Sequence, residues 1–312
     1  MSTIERAAKR LEELRRAGVD ISAVTPETPP PAPAPTEDLG EVVTIRIPQA
    51  AADVPTPARA EPAASSAAAD RRSREVELDL RRMSRSNLLV PGEPRSQLEE
   101  EFRIIKRPLL ENVRGQTAVR PHRANLIMVT SAIPGEGKTQ TAINLATSIA
   151  MELDHTVLLV EADVLRPSVL ERVGVSAQKG LLDLLANKSL DLSDVLLKTN
   201  IPKLTLLPAG TANSRSTELL ASTAMDELLE ELASKYADRV IIFDTPPLLS
   251  TTESRVMASH MGQVVMVVES GKTPVSSVQQ AFATVENHPV VLSMLNKYRG
   301  PKGKNTYGYY AP

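Results

Sequence analysis

Asn125-Leu126-Ile127-Met128-Val129-Thr130-Ser131-Ala132-Ile133-Pro134-Gly135-Glu136-Gly137-Lys138-Thr139 is the stretch that decides how this chain folds. An apolar run from 125 to 130 suits a buried strand, and the segment carrying Ile143, Leu145 and Ile149 suits a helix. Between them lies a turn framed by two glycines. Glycines let consecutive backbone N–H groups turn inward around phosphate oxygens, and the start of a helix adds a favourable dipole field. The predicted nucleotide-contacting set is Pro134, Gly135, Glu136, Gly137, Lys138, Thr139 and Gln140. Lys138 is placed to reach the β- and γ-phosphates, and the Thr139 hydroxyl to ligate Mg²⁺. The strict pattern opens on glycine where this chain has Ala132, so the competing reading is a plain glycine turn before a helix.

Working outward, short Val/Ile/Leu runs recur at 157–160, 204–207, 240–243, 264–268 and 290–292, alternating with helical stretches such as 141–153 and 216–236. Runs apolar on both faces predict parallel strands covered on both sides. The expected fold class is α/β, P-loop NTPase-like, a mostly parallel sheet with helices on both faces. Two of these runs end in acids. Asp244 closes Val240-Ile241-Ile242-Phe243, and Glu161 and Asp163 close 157–160. Glu161 and Asp163 are two apart, so an extended strand projects both to one face. Acids beyond strand C-termini meet a ligand in the crevice where open α/β sheets bind. Asp163 and Asp244 join Thr139 as the candidate Mg²⁺ set.

Composition bounds the rest. The 312 residues carry a formal net charge of -2, with no cysteine and four histidines. That gives no electrostatic reason to expect nucleic acid, and it excludes disulfides and thiolate metal sites. His122, His155, His260 and His288 are scattered without metal-ligand spacing. No apolar run approaches the ~18–20 residues needed to span a bilayer, and a cytoplasmic protein is expected. The predicted organisation is a short amphipathic helix over 1–18, a Pro/Ala-rich linker over 19–95, a P-loop domain over 96–297 and a flexible tail over 298–312. Ser2 and Glu5 make a capping box for the first helix. Prolines crowd between Pro26 and Pro62, and Arg71, Arg72, Arg74, Arg81, Arg82 and Arg85 form what reads as a solvated basic end of the linker. Of only five tyrosines, Tyr298, Tyr307, Tyr309 and Tyr310 fall in the tail, where glycine, proline and lysine leave them no core to fill.

Pro134-Gly135-Glu136-Gly137-Lys138-Thr139, Glu161-Ala162-Asp163 and Asp244-Thr245-Pro246-Pro247, in that order, resemble the Walker A, A′ and B motifs of bacterial tyrosine kinases from exopolysaccharide and capsule loci. Leu207-Pro208-Ala209-Gly210 and Glu218-Leu219-Leu220 are similar to that family as well, and the resemblance covers about residues 97–312. The segment from Phe102 to Pro108, with 4–18, resembles the branch associated with exosortase (PEP-CTERM) loci. What the resemblance implies is ATP- and Mg²⁺-dependent transfer of phosphate to the chain's own tail tyrosines, in trans within a ring-forming homo-oligomer. It makes Lys138, Asp163 and Asp244 the catalytic residues, with Asp163 positioning or deprotonating the phenol. A glutamate-x-x-arginine-x-x-arginine helix supports assembly in that family, and Glu100, Arg103 and Lys106 match it with one Arg-to-Lys change. The resemblance also implies a separate membrane polysaccharide co-polymerase as activator, recruitment to the inner membrane by that partner, and a tyrosine phosphatase.

Two departures stand out: Glu161 replaces the family's usual Asp, and Leu165 replaces an Arg, with Arg166 beside it. A rival reading is a partition- or septum-type ATPase switch. Those proteins carry an extra lysine early in the loop, where this chain has Ile133. A second rival is an ATP-binding regulatory scaffold without kinase activity.

Overall fold

The computed structural model describes residues 74–117, 121–236 and 238–300. In chain order its elements are β1 (Arg74–Val76), α1 (Leu80–Arg85), α2 (Gln97–Val113), β2 (Leu126–Ser131), α3 (Lys138–Ala150), β3 (Thr156–Glu161), α4 (Val169–Val173), α5 (Leu181–Ala186) and α6 (Leu192–Val195). They continue with β4 (Leu197–Thr199), β5 (Leu204–Leu207), α7 (Ser216–Leu220), α8 (Thr223–Lys235), β6 (Arg239–Asp244), α9 (Thr252–His260), β7 (Gln263–Glu269), α10 (Val275–Ala283) and β8 (Val291–Asn296). The strands form one eight-stranded sheet in the order β1-β4-β5-β3-β6-β2-β7-β8. Every pairing is parallel except β4 with β5. The helix expected over 1–18, the prolines of the linker, and Tyr307, Tyr309 and Tyr310 lie outside the described residues.

The double-sided burial anticipated from the sequence has a direct counterpart in the two cores. Leu126, Met128, Leu158, Val160, Ile241 and Phe243 pack on one face with α5, α7 and α8. Their neighbours Ile127, Val129, Val157, Leu159, Val240 and Ile242 pack on the other with α1, α2, α3 and α4. Alternate residues of one strand thus feed opposite cores, which is why the inner parts of β2, β3 and β6 contain no polar interruption. Each such side chain contributes about 1.5–3 kcal/mol of transfer free energy, set against chain entropy.

Topology places the site. From β2 the chain crosses β6 to reach β3, whereas β7 and β8 lie on the other side of β2. That reversal opens a crevice at the carboxyl ends of β2, β3 and β6. Register aligns Val129 with Asp244 and Asp244 with Glu161, bringing the acid-bearing strand ends beside the glycine turn.

Two expectations are corrected here. The linker does not run to 95. From Arg74 the chain is part of the fold: β1 pairs with β4, and Leu78, Met83, Leu88 and Leu89 are buried in the second core. Leu78 exchanges hydrogen bonds with the Asn200 side chain at 3.0 and 3.2 Å, and Leu89 N–H donates to Asn144 Oδ1 at 2.8 Å. The arginines of α1 face solvent while Met83 supplies the buried face, so a basic sequence conceals an amphipathic helix. Likewise the helix expected over 216–236 is two helices. Ser222 is extended (φ -93°, ψ 159°) and restarts α8 after α7 ends.

Candidate active site

The phosphate turn is built by its own backbone. Gly135 and Gly137 sit at φ +90° and +100°, a region that side-chain-bearing residues rarely adopt. At Gly137 a Cβ would also come 2.2 Å from Asn296 Nδ2 and displace that amide. Ser131 Oγ donates to Ile133 C=O at 2.9 Å, closing the strand-to-turn junction. Glu136 has its carboxylate folded under the turn rather than toward a ligand, and the residue is 1% exposed. It accepts from Ile133 N–H at 2.8 Å, Glu269 N–H at 3.2 Å and Thr273 Oγ at 2.5 Å. Two residues that the sequence reading did not single out complete this framework. Asn296 Nδ2 donates to Glu136 C=O at 2.8 Å, and Lys297 Nζ donates to Gly135 C=O at 2.6 Å and to Glu269 at 3.0 Å. Their only local signal is a polar Asn-Lys pair closing an apolar run.

Lys138 opens α3, and its ammonium lies between the two predicted aspartates, 2.5 Å from Asp163 Oδ2 and 3.9 Å from Asp244 Oδ1. Asp163 is 4% exposed, and its other oxygen accepts Arg166 N–H at 3.2 Å. Thr139 is buried in the same corner, its hydroxyl 3.4 Å from Ser168 Oγ and 3.5 Å from the Lys138 ammonium. Asp244 is fully buried, and among the described residues neither of its oxygens has a hydrogen-bond partner within 3.5 Å. Burial pushes its carboxyl up to about 7, with the Lys138 ammonium and the nearby Thr139 hydroxyl pulling downward and Asp163 and Glu161 adding to the rise. The residues after Asp244 are locked to β2: Thr245 N–H donates to Val129 C=O at 3.1 Å, and Thr130 Oγ1 donates to Pro246 C=O at 2.9 Å.

Such an orphaned buried carboxylate, beside an ammonium and a buried hydroxyl, suits a hard divalent cation with oxygen ligands. Thr139 and Asp244 fit Mg²⁺ in donor type and burial, with Asp163 across the Lys138 ammonium.

Three other expectations change. Glu161, the last residue of β3, turns its carboxylate to backbone N–H groups and not to the Lys138 ammonium that Asp163 pairs with. Its carboxylate accepts Val169 N–H at 2.6 Å and Ala209 N–H at 3.4 Å, and burial holds its pKa above the usual carboxylate range against those bonds. Gln140 turns its amide to Asn87 C=O at 3.1 Å, away from the turn, so that side chain braces the 87–89 segment. Lys106 is not a surface charge. It is 6% exposed, bonded at 2.6 Å both to Ser148 C=O and to Glu152, whereas Glu100 and Arg103 pair with each other at 3.1 Å on the outside of α2. Leu165 is 56% exposed beside Asp163. Of the tail tyrosines, Tyr298 is described and is 61% exposed. A recess bounded by Val113, His122, Arg123, Asn125 and Glu230 lies at the opposite end of β2 and holds none of these groups.

The profile of the AAA domain family matches residues 124–292. Tyrosine-protein kinase YwqD of Bacillus subtilis (strain 168) is 32% identical over 232 residues, covering 73% of this chain and 92% of the relative. Tyrosine-protein kinase wzc of Salmonella typhimurium is 28% identical over 234 residues, and the chain spans 31% of its length. Among solved structures, the kinase domain of Escherichia coli tyrosine kinase ETK superposes with a TM-score of 0.59 at 25% identity, covering 72% of this chain and 86% of that one.

Proposed function

The chain belongs to the bacterial tyrosine-protein kinases built on a P-loop ATPase domain, and we propose that it transfers the γ-phosphate of ATP to its own tail tyrosines, Tyr298, Tyr307, Tyr309 and Tyr310. The observation that carries this reading is the Lys138 ammonium held between Asp163 and the buried Asp244 at the mouth of the glycine turn. Backbone N–H groups of the turn and the start of α3 bind the phosphates. Lys138 then exchanges Asp163 for the γ-phosphate and steadies the charge on the transferred group. Released from Lys138, Asp163 has an oxygen free to accept the phenol proton as the tyrosine oxygen bonds to phosphorus and the bond to the β-phosphate oxygen breaks. Thr139, Asp163 and Asp244 would hold Mg²⁺, which neutralises phosphate charge when bound.

The tail of one copy reaches the site of another in this reading, in trans within a homo-oligomer to which Glu100 and Arg103 contribute. It regulates exopolysaccharide synthesis or export, activated by a separate membrane co-polymerase that recruits it to the inner membrane, and reversed by a tyrosine phosphatase. Among the described residues no helix is long and apolar enough to cross a membrane.

Incubating the full chain with Mg²⁺-ATP and mapping phosphotyrosine by mass spectrometry tests the reading. Modification of the tail is expected, absent from Lys138→Met and from a variant with all four tail tyrosines changed to Phe. ATP turnover without phosphotyrosine, even with the activator present, would replace the kinase by a nucleotide-driven switch.

A further inference from the structure

We propose that Asn296 and Lys297 are positioning residues of the phosphate turn, acting through its carbonyls. A trans peptide unit is planar, with its C=O and the following N–H pointing in opposite directions. Among the described residues there is no cis peptide bond. Lys297 Nζ holds the Gly135 C=O at 2.6 Å, and this fixes the Glu136 N–H on the opposite side of that peptide. Asn296 Nδ2 holds the Glu136 C=O at 2.8 Å, which in the same way fixes the Gly137 N–H. The two N–H groups so fixed belong to consecutive residues of the turn that surrounds the phosphates. A glycine turn left alone has many peptide orientations, so holding two of them before the ligand arrives removes an ordering cost from binding.

The clamp is itself anchored. Asn296 Oδ1 accepts Lys297 N–H at 2.8 Å, and Asn296 C=O accepts Ser270 N–H at 2.9 Å. Lys297 adopts φ +57°, a left-handed conformation that a lysine takes only when its surroundings impose it. Its ammonium also bonds Glu269, whose carboxyl it holds below the usual range. The backbone N–H of the same Glu269 binds the Glu136 carboxylate, so strand end, turn and clamp form one network.

Tyr298 follows Lys297 directly. Phosphates that tighten the turn therefore tighten the root of the tail, and displacement of the tail root loosens the turn to the same degree, since coupling between two sites is reciprocal. The coupling to phosphotransfer rests on the kinase reading; the effect on nucleotide affinity does not.

The test is the dissociation constant of a fluorescent ATP analogue with Mg²⁺, measured on the full chain. Asn296→Ala and Lys297→Ala are each expected to weaken binding by about three- to tenfold, the net worth of one such hydrogen bond. Lys297→Arg is expected to recover most of the loss. The control is Lys272→Ala: Lys272 touches the same Glu269 carboxylate at 3.4 Å but no carbonyl of the turn, and it should bind as the parent does. Nucleotide-free melting temperatures separate this from general unfolding. Parent-like affinity in both alanine variants, or an equal loss in Lys272→Ala, would overturn the proposal. A chain that binds the analogue with this pattern but phosphorylates no tyrosine would overturn the kinase reading alone.

Discussion

Asp244 carries the largest electrostatic strain in the described molecule, and its sign can be worked out. Burial raises its carboxyl from 3.8 to about 7, so the folded chain binds that proton more tightly than the unfolded one. Stability from this group is therefore present at low pH and lost as pH rises from about 4 to about 7, on the order of 4 kcal/mol once both states are ionised. Calorimetry of the nucleotide-free protein should show Asp244→Asn melting above the parent at pH 8, with the gap shrinking toward pH 4. An unchanged gap across that range would mean that the carboxylate finds a partner. Glu136 is the opposite case, a buried acid with three donors. Glu136→Ala strands Ile133 N–H and leaves Glu269 N–H and Thr273 Oγ1 only their mutual bond at 3.2 Å, and should cost about 3 kcal/mol, read as a melting temperature lower by roughly 6–12 °C. The convergence of Lys138, Asp163, Thr139 and Asp244 on one corner was legible in advance because glycine spacing and strand-end acids are local patterns. The partners of Glu161 and Lys106 were not. A carboxylate bound to Ala209, 48 residues away, or an ammonium bound to Ser148, 42 residues away, leaves no mark in its own neighbourhood.

Elements repeat that division. The inner strands stand out as unbroken apolar runs because both faces are covered, and β2 through β8 fall close to where hydrophobicity puts them, apart from the three-residue β4. β1 and α1 escape notice because three residues and six residues are too short to display a period. α1 is also dominated by arginines, while its one fully buried side chain is Met83. Tertiary partners, β4 and Asn200, make that stretch ordered. Met83→Ala should accordingly cost about 2–5 kcal/mol in denaturant unfolding, although it lies in a segment whose composition suggests a linker. A loss below about 0.5 kcal/mol would return 74–90 to the status of a loose arm. The break at Ser222 was hidden for another reason, since the apolar spacing continues through it and only the backbone departs.

At the scale of the whole molecule, the two faces of α2 have different surroundings. Its inner face is pinned to α3 by Lys106, while Glu100 and Arg103 are available outside. Light scattering should therefore separate the matched positions. Arg103→Ala is expected to reduce self-association at an unchanged melting temperature. Lys106→Ala is expected to lower the melting temperature by stranding Glu152 and the end of α3. If both variants changed only assembly size, the intramolecular pairing of Lys106 would not hold in solution. Strand order, which decides where the crevice opens, is a property of this scale too. Nothing local in 156–161 announces that it will lie beside 239–244 rather than beside 126–131.

Among the described residues β8 has a strand neighbour on one side only, β7, and it leads into the tail from that edge of the sheet. Traction on that tail would be borne by single bonds in succession from residue 297 backward, as a zipper opens from its free end. The first fastenings to part are those that Asn296 and Lys297 make to the glycine turn. A partner that tugs on the terminus would thus slacken the nucleotide's grip while the sheet behind it stays whole, a mechanical fuse placed at the last residues before the tyrosines.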